Sequence, residues 1–315
     1  MKKKYLFGPV ASRRLGISLG VDLVPFKTCT INCVYCESGI TSNLTLKRHE
    51  YIPCDEVIKQ LDELLSTNPK IDYLTFSGAG EPTLNSGIGR VVKFVKTKYP
   101  QYKICLLTNA TLFSDPELLI EIEDIDLCIP SLDASTEEEF KAINRPCPSI
   151  EFNSYVNNLI EYCKNSKSEI WLELFIVPGK NDSNESISRF VEIIKEAKPD
   201  KVQLNTLDRP GTVDWISASS EQNTMRFVQA LEAIVPVEAV GPFKYKSPAL
   251  QKQLTPESID KLILELIFRR PSTLSDMKET FGASSNEINE RLELLIKNDI
   301  IKSEISSRGE FFSIP

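Results

Sequence analysis

Six short apolar runs, each followed by a helical pattern, constrain this chain more than any other feature. They are "GISLGVDLV" (16–24), "IDYLTFSG" (71–78), "YKICLLTN" (102–109), "IDLCIPSLD" (125–133), "EIWLELFIV" (169–177) and "KVQLNTL" (201–207). Helical spacing of apolar residues falls between them, near 54–66, 87–99, 115–122, 136–142, 150–164 and 184–197. Most of the runs are apolar almost throughout rather than alternating, as strands covered on both faces must be. Strands that alternate with helices predict a parallel sheet with helices packed outside it. Six βα units make either an open sheet or an incomplete barrel, and in both the ligands gather at the carboxyl ends of the strands. The polar and glycine-rich residues that close each run are therefore expected to converge.

The pattern assigns residues 1–240 to this α/β domain. "GPFKYKSPALQKQLTP" (241–256) is turn-rich and reads as a linker. Residues 257–315 have a different texture. "ESIDKLILELIFRR", "TLSDMKETFG" and "SSNEINERLELLIKNDI" predict three helices, and "IKSEISSRGEFFSI" a hairpin turning at Ser307–Arg308–Gly309. Three helices and a hairpin suggest a winged helix-turn-helix-like accessory domain. Such a module reads DNA through its third helix, but that helix here carries Glu287, Glu290 and Glu293. Phosphate contact supplies most non-specific DNA affinity, so its acidity argues against DNA and for a docking or lid-like role.

With 41% hydrophobic and 26% charged residues, the chain can bury a real core. A net charge of −7 excludes a uniformly basic nucleic-acid binder. Residues 1–50 run the other way: Lys2, Lys3, Lys4, Arg13, Arg14, Lys27, Lys47 and Arg48 face only Asp22, Glu37 and Glu50. That local excess suits an anionic ligand or substrate. No apolar run approaches the roughly 20 residues of a membrane span, and Arg13 and Arg14 interrupt any secretory apolar region. The expected location is cytoplasmic, where clustered cysteines point to metal or catalysis before disulfides.

"KTCTINCVYCESG" places Cys29, Cys33 and Cys36 in a CxxxCxxC pattern. A tetrahedral zinc site would need a fourth ligand, with His49 and Cys54 as candidates. A zinc-stabilised regulatory protein that binds nucleic acid through its tail is the alternative on this reading. Three soft thiolates with no fixed fourth partner suit instead an iron–sulfur cluster with one iron left open.

CxxxCxxC with Tyr35 before its last cysteine resembles the signature of the radical S-adenosylmethionine (SAM) superfamily, whose fold is a partial (β/α)6 barrel. The resemblance implies a [4Fe–4S] cluster on Cys29, Cys33 and Cys36, its fourth site taken by the amino and carboxylate groups of SAM. It implies one electron from a flavodoxin- or ferredoxin-type reductant, cleavage of SAM to a 5′-deoxyadenosyl radical, and hydrogen abstraction from a substrate. "FSGAGEP" (76–82) is similar to the family's GGEP-type stretch, which implicates Ser77, Gly78, Gly80 and Glu81 in cofactor binding. Asn109 in "TNAT", Ser131 and Asp133 in "SLDAS", and Asn205 in "LNTLDRPG" close later strands and offer hydrogen bonds to the cofactor. Glu173 is placed to serve the ligand or pair with an arginine.

Within the superfamily, "FGPVASRRLGISLGVDLVPFKTCTINCVYCESG", "FSGAGEPTL" and "INRP" resemble the Fe–S oxidoreductase group related to wyosine-tRNA synthases. The match runs over about residues 5–210. The archaeal wyosine synthases hold a second cluster on N-terminal cysteines, whereas no cysteine precedes Cys29 in this sequence. The motifs bind the cofactor, so tRNA, a peptide, a protein side chain and a small metabolite all stand as substrates. Arg13, Arg14, Arg145 and Arg209 are the candidate anion contacts, by bidentate guanidinium bonding.

Overall fold

The computed structural model describes the chain except for residues 1–3, 13, 79, 248–255, 270–271, 275–276, 279–284 and 307–308. It divides into two units, Met1–Ser247 and Pro248–Pro315.

In the first unit the strands are β1 (Leu6–Ser12), β2 (Gly16–Asp22), β3 (Thr28–Cys29), β4 (Asn43–Leu44), β5 (Tyr73–Ser77) and β6 (Lys103–Thr108). They continue with β7 (Leu127–Pro130), β8 (Glu169–Phe175), β9 (Lys201–Asn205), β10 (Val237–Val240) and β11 (Lys244–Lys246). Its helices are α1 (Cys54–Leu65), α2 (Ile88–Lys98), α3 (Pro116–Glu121), α4 (Glu137–Ile143), α5 (Phe152–Asn165), α6 (Asn184–Ala197) and α7 (Glu221–Leu231). Nine strands form one sheet in the order β1-β2-β5-β6-β7-β8-β9-β10-β11. From β2 to β10 every neighbour is parallel; β1 and β11 pair antiparallel at the two edges. This is an α/β architecture built on a mostly parallel sheet.

Each parallel strand faces the helices with alternate residues: Leu19 and Val21, Leu74 and Phe76, Ile104 and Leu106, Leu172 and Leu174, Val202 and Leu204, all 0–1% exposed. The helices answer with apolar stripes at helical spacing, such as Ile88, Val91, Val92 and Val95 on α2. Each fully buried side chain of this size contributes about 1.5–3 kcal/mol, which outweighs helix propensity in fixing these elements. Side-chain caps set several helix starts: Asp115 for α3, Thr136 for α4, Ser183 for α6 and Ser220 for α7.

The other sheet face curls inward. The Arg14 guanidinium, in the β1–β2 turn, pairs with Glu173 on β8 and reaches Gln203 Oε1 on β9 at 3.5 Å. Three strands lie between β2 and β8 in the sheet, so these contacts require the sheet to bend round on itself. Its two edges stay unjoined, and the barrel is incomplete.

The sequence reading finds β2 and β5–β9 but ends the series too early. A further βα step follows, with α7 leading to β10 as a seventh parallel strand. The predicted linker, 241–256, also begins too early: Lys244–Lys246 is a sheet strand paired with β10, and the unit boundary follows Ser247.

The second unit contains α8 (Pro256–Arg269), α9 (Ser285–Lys297) and a three-stranded antiparallel sheet of β12 (Ser272–Thr273), β13 (Lys302–Ser306) and β14 (Gly309–Ser313). Ile259, Ile263, Ile267, Met277, Ile288, Leu292 and Phe312 form its core. Most of the second predicted helix, and the Ser307–Arg308 turn, lie outside the described residues. Among the described residues no helix is long and apolar enough to cross a membrane.

Candidate functional site

The segment carrying the three cysteines leaves the carboxyl end of β2 and is held from several sides. Lys27 adopts a left-handed conformation (φ 56°), and its carbonyl accepts the amides of Ser42 at 3.1 Å and Asn43 at 3.0 Å. Thr28–Cys29 pairs with Asn43–Leu44. The segment after α4 runs alongside: Ile143 O accepts Val34 N at 2.9 Å, Asn144 O accepts Asn32 N at 2.8 Å, and Cys147 N donates to Thr30 O at 3.0 Å. From the loop after β9, Thr212 N donates to Val34 O at 2.8 Å. Tyr35 stacks on Phe175, with centroids 3.8 Å apart and planes within 9°. Its hydroxyl donates to Asp133.

These restraints set the three cysteines on the wall of one cavity of about 210 Å³ at the strand ends. Of the predicted residues, Tyr35, Ser77, Gly78, Gly80, Glu81, Asn109 and Ser131 line it too. The expected convergence of strand ends is therefore present in the geometry. Gly80 is required by contact: a Cβ there would lie 2.2 Å from Thr28 O. Glu81 is 2% exposed. Its carboxylate accepts Thr83 N at 3.1 Å, Thr83 Oγ1 at 2.6 Å, Thr108 Oγ1 at 2.7 Å and Asn109 N at 2.8 Å. It thus ties the glycine turn to the end of β6.

Asp133 and Asn205 do not line the cavity. Asp133 is buried and engaged on all sides, accepting Tyr35 Oη–H, Asn144 Nδ2 at 2.7 Å and Phe175 N at 3.0 Å. Burial pushes its carboxyl up despite these donors. It holds the cysteine loop. Asn205 Oδ1 accepts Thr206 N at 2.9 Å. Among the arginines, Arg14 is paired with Glu173, Arg209 meets Glu37 at 3.1 Å, Arg145 is exposed with φ 47°, and Arg13 lies outside the described residues.

Each thiol sulfur has an N–H donor. Asn109 Nδ2 is 3.5 Å from Cys29 Sγ, Asn144 Nδ2 is 3.4 Å from Cys33 Sγ, and Lys27 Nζ is 3.0 Å from Cys36 Sγ. Burial, reinforced by Glu81, pushes the Cys29 thiol up to about 12. Burial likewise holds Cys33 well above its ordinary value, with Asp133 adding to the effect. Thiolates at these positions are costly unless a metal takes their charge.

The donor set therefore fits an iron–sulfur cluster. Its three protein ligands are soft sulfurs, and hydrogen-bond donors to sulfur are among the features that tune such centres. The two candidate fourth ligands are elsewhere. His49 is exposed and edge-on to Tyr51 at 5.4 Å, Cys54 is buried beside Asn85 Oδ1 at 3.5 Å, and neither lines the cavity. Among the described residues, no three His, Cys, Asp or Glu side chains gather closely enough to hold a metal ion.

Sequence reasoning misses Lys27, Asn144, Thr108 and Phe175 as parts of this site. The first is visible only as one basic residue among several. Asn144 stands beside Arg145 in "INRP" but reaches Cys33 from 111 residues away, a contact with no local signature.

Comparison with known proteins agrees with this geometry. Residues 23–204 match the Radical SAM superfamily. A protein of Brachyspira hyodysenteriae named GTPase Obg is 35% identical over 97% of this chain, and the chain spans 44% of that protein's length. A UPF0026 protein of Helicobacter pylori is 31% identical over 84% of each chain. The crystal structure of a radical SAM methyltransferase from Sphaerobacter thermophilus superposes with a TM-score of 0.52 at 17% identity, covering 70% of this chain and 65% of that one. That likeness concerns the fold.

Proposed function

This chain belongs to the radical SAM superfamily and to the UPF0026 family, and from that premise we propose that Cys29, Cys33 and Cys36 hold the cluster and that the enzyme uses it to abstract hydrogen from an anionic substrate. Its cofactors are a [4Fe–4S] cluster and SAM. When bound, the pair supplies a 5′-deoxyadenosyl radical, given one electron from a flavodoxin- or ferredoxin-type donor.

The observation that carries the reading is the single cavity shared by three cysteine sulfurs and the glycine turn after β5. The chain's own residues do the rest. Gly80 lets the turn approach the cysteine loop backbone to backbone. Glu81 locks that turn to β6 and presents Asn109 beside Cys29. Asp133, Tyr35 and Phe175 hold the last cysteine from below. Ser77 and Ser131 offer hydroxyls to the polar groups of SAM.

For substrate, the exposed Arg145, on the segment bridged to the cysteine loop, supports an anionic molecule. tRNA is the class we place first, consistent with the motif resemblance to the group related to wyosine-tRNA synthases. Retention of tRNA by the full chain at moderate salt tests this class, and tRNA that elutes with unrelated protein counts against it.

The central test is anaerobic reconstitution. The wild type should take up iron and sulfide and release 5′-deoxyadenosine from SAM with a strong reductant. Cys29→Ala should lose that cleavage by several orders of magnitude. A variant that still cleaves SAM at the wild-type rate would overturn the ligand assignment.

A further inference from the structure

We propose that Lys27 is a positioning residue that sets the reduction potential of the cluster, by holding its ammonium against Cys36. The inference rests on the cluster ligands assigned above.

Lys27 is only 3% exposed. Lysines are almost never this buried without a partner, because an uncompensated ammonium pays a large desolvation cost. Among the described residues no carboxylate forms an ion pair with it. Its ammonium meets Cys36 Sγ at 3.0 Å and lines the cavity that the three cysteines share. The anion on offer is therefore sulfur, once a metal has made that sulfur a thiolate.

Its backbone points the same way. Outside glycine, the left-handed conformation costs on the order of 1 kcal/mol, and a long side chain gains nothing locally from it. The fold nevertheless fixes Lys27 there, through the Ser42 and Asn43 amides on its carbonyl. Strain of this kind persists where the surroundings over-determine it, as at functional sites. Gly or Asn would suit the backbone better; neither would supply the charge.

The three sulfurs are not equivalent. Cys29 and Cys33 receive neutral amide donors, and Cys36 receives a cation. One electron from an external reductant takes the centre from the 2+ to the 1+ state, with no bond made or broken in that step. The added negative charge is stabilised by a fixed positive donor at sulfur, so Lys27 raises the potential and eases reduction.

The test is an EPR-monitored redox titration of the anaerobically reconstituted full chain, with and without SAM, for wild type, Lys27→Met, Lys27→Gln and Lys27→Arg. Iron and sulfide are counted in each. With SAM absent, Lys27→Met should keep its cluster while the ratio of reduced to oxidised centre at fixed potential falls about tenfold, a downward shift of about 59 mV for a one-electron couple. Lys27→Gln, which keeps a neutral donor and serves if the methionine variant loses its cluster, should fall by less. Lys27→Arg should stay within about threefold of wild type. A fully loaded Lys27→Met or Lys27→Gln centre with an unmoved potential overturns the inference. So does a shift that appears only when SAM is added, because the ammonium then serves the SAM carboxylate. A wild type that takes up no cluster refutes instead the ligand assignment on which the inference stands.

Discussion

Replacing Gly80 by alanine probes the tightest contact in the site. The added Cβ would lie 2.2 Å from Thr28 O and 2.8 Å from Val24 Cγ2. Thr28 O is backbone and cannot swing aside, so reaching an ordinary 3.4 Å separation needs a displacement of about 1.2 Å between the glycine turn and the cysteine loop. Glu81 N donates to the same carbonyl at 3.0 Å, and a shift of that size breaks the bond. Overpacking of this kind costs roughly 1–3 kcal/mol. A lost hydrogen bond adds about 0.5–1.5 kcal/mol. Gly80→Ala should therefore lose roughly 2–4 kcal/mol, read as a lower urea midpoint for the cluster-free protein. Cleavage of SAM should fall further than stability does, because a displacement near 1 Å at reacting groups can cost about a hundredfold. A Gly80→Ala protein within about 0.5 kcal/mol of wild type, cleaving SAM normally, would refute the claim that the two loops are locked by backbone contact.

Other residues yield separate expectations. Tyr35→Phe removes one of the donors on buried Asp133 and should destabilise the cluster-free protein by roughly 1–3 kcal/mol; unchanged urea unfolding would show that Asp133 does not depend on that bond. Gly211→Ala places a Cβ 2.7 Å from Val34 O, so it should loosen the Thr212–Val34 contact and lower iron uptake on reconstitution, measured as iron per chain. Burial raises the Asp22 carboxyl above its ordinary range, so the folded protein takes up that proton more readily than the unfolded chain. Its contribution is fully present below the ordinary carboxylate value of about 3.9 and is lost as pH rises through the raised one. Asp22→Asn abolishes that loss, and the Tm difference between variant and wild type should move in the variant's favour from pH 4 to pH 7. A difference that stays constant with pH would contradict the sign.

The parts legible in the sequence are those whose cause is local. β5 and β6 are visible because buried parallel strands must be apolar along their length, and α2 because Ile88, Val91, Val92 and Val95 repeat at helical spacing. β10 and β11 escape because "VEAV" and "KYK" are too short to show a period, and because Gly241, Pro242 and Pro248 give the region the look of a linker. β11 exists through pairing with β10, and pairing leaves no mark on three residues. The site divides in the same way. Cys29, Cys33 and Cys36 are readable together because one loop supplies all three ligands. The groups that bear on their sulfurs come partly from far along the chain, with Asn109 brought in by β6 and Asn144 by the turn after α4.

Asp133 exposes the limit of reading function from strand ends alone. Its position at the end of β7 is the position of a ligand residue, and the sequence assigns it to the cofactor for that reason. In the fold, both carboxylate oxygens are consumed by Tyr35, Asn144 and the Phe175 amide. A carboxylate buried at the expense of its own ionisation, yet supplied with three donors, is suited to hold partners rather than to exchange them. Asn144 joins it to Cys33, and the Tyr35 hydroxyl bond anchors the residue next to Cys36. One buried acid thus bears on one sulfur and on the chain beside another, and the rigidity of the cysteine loop follows from Asp133 as much as from the loop itself.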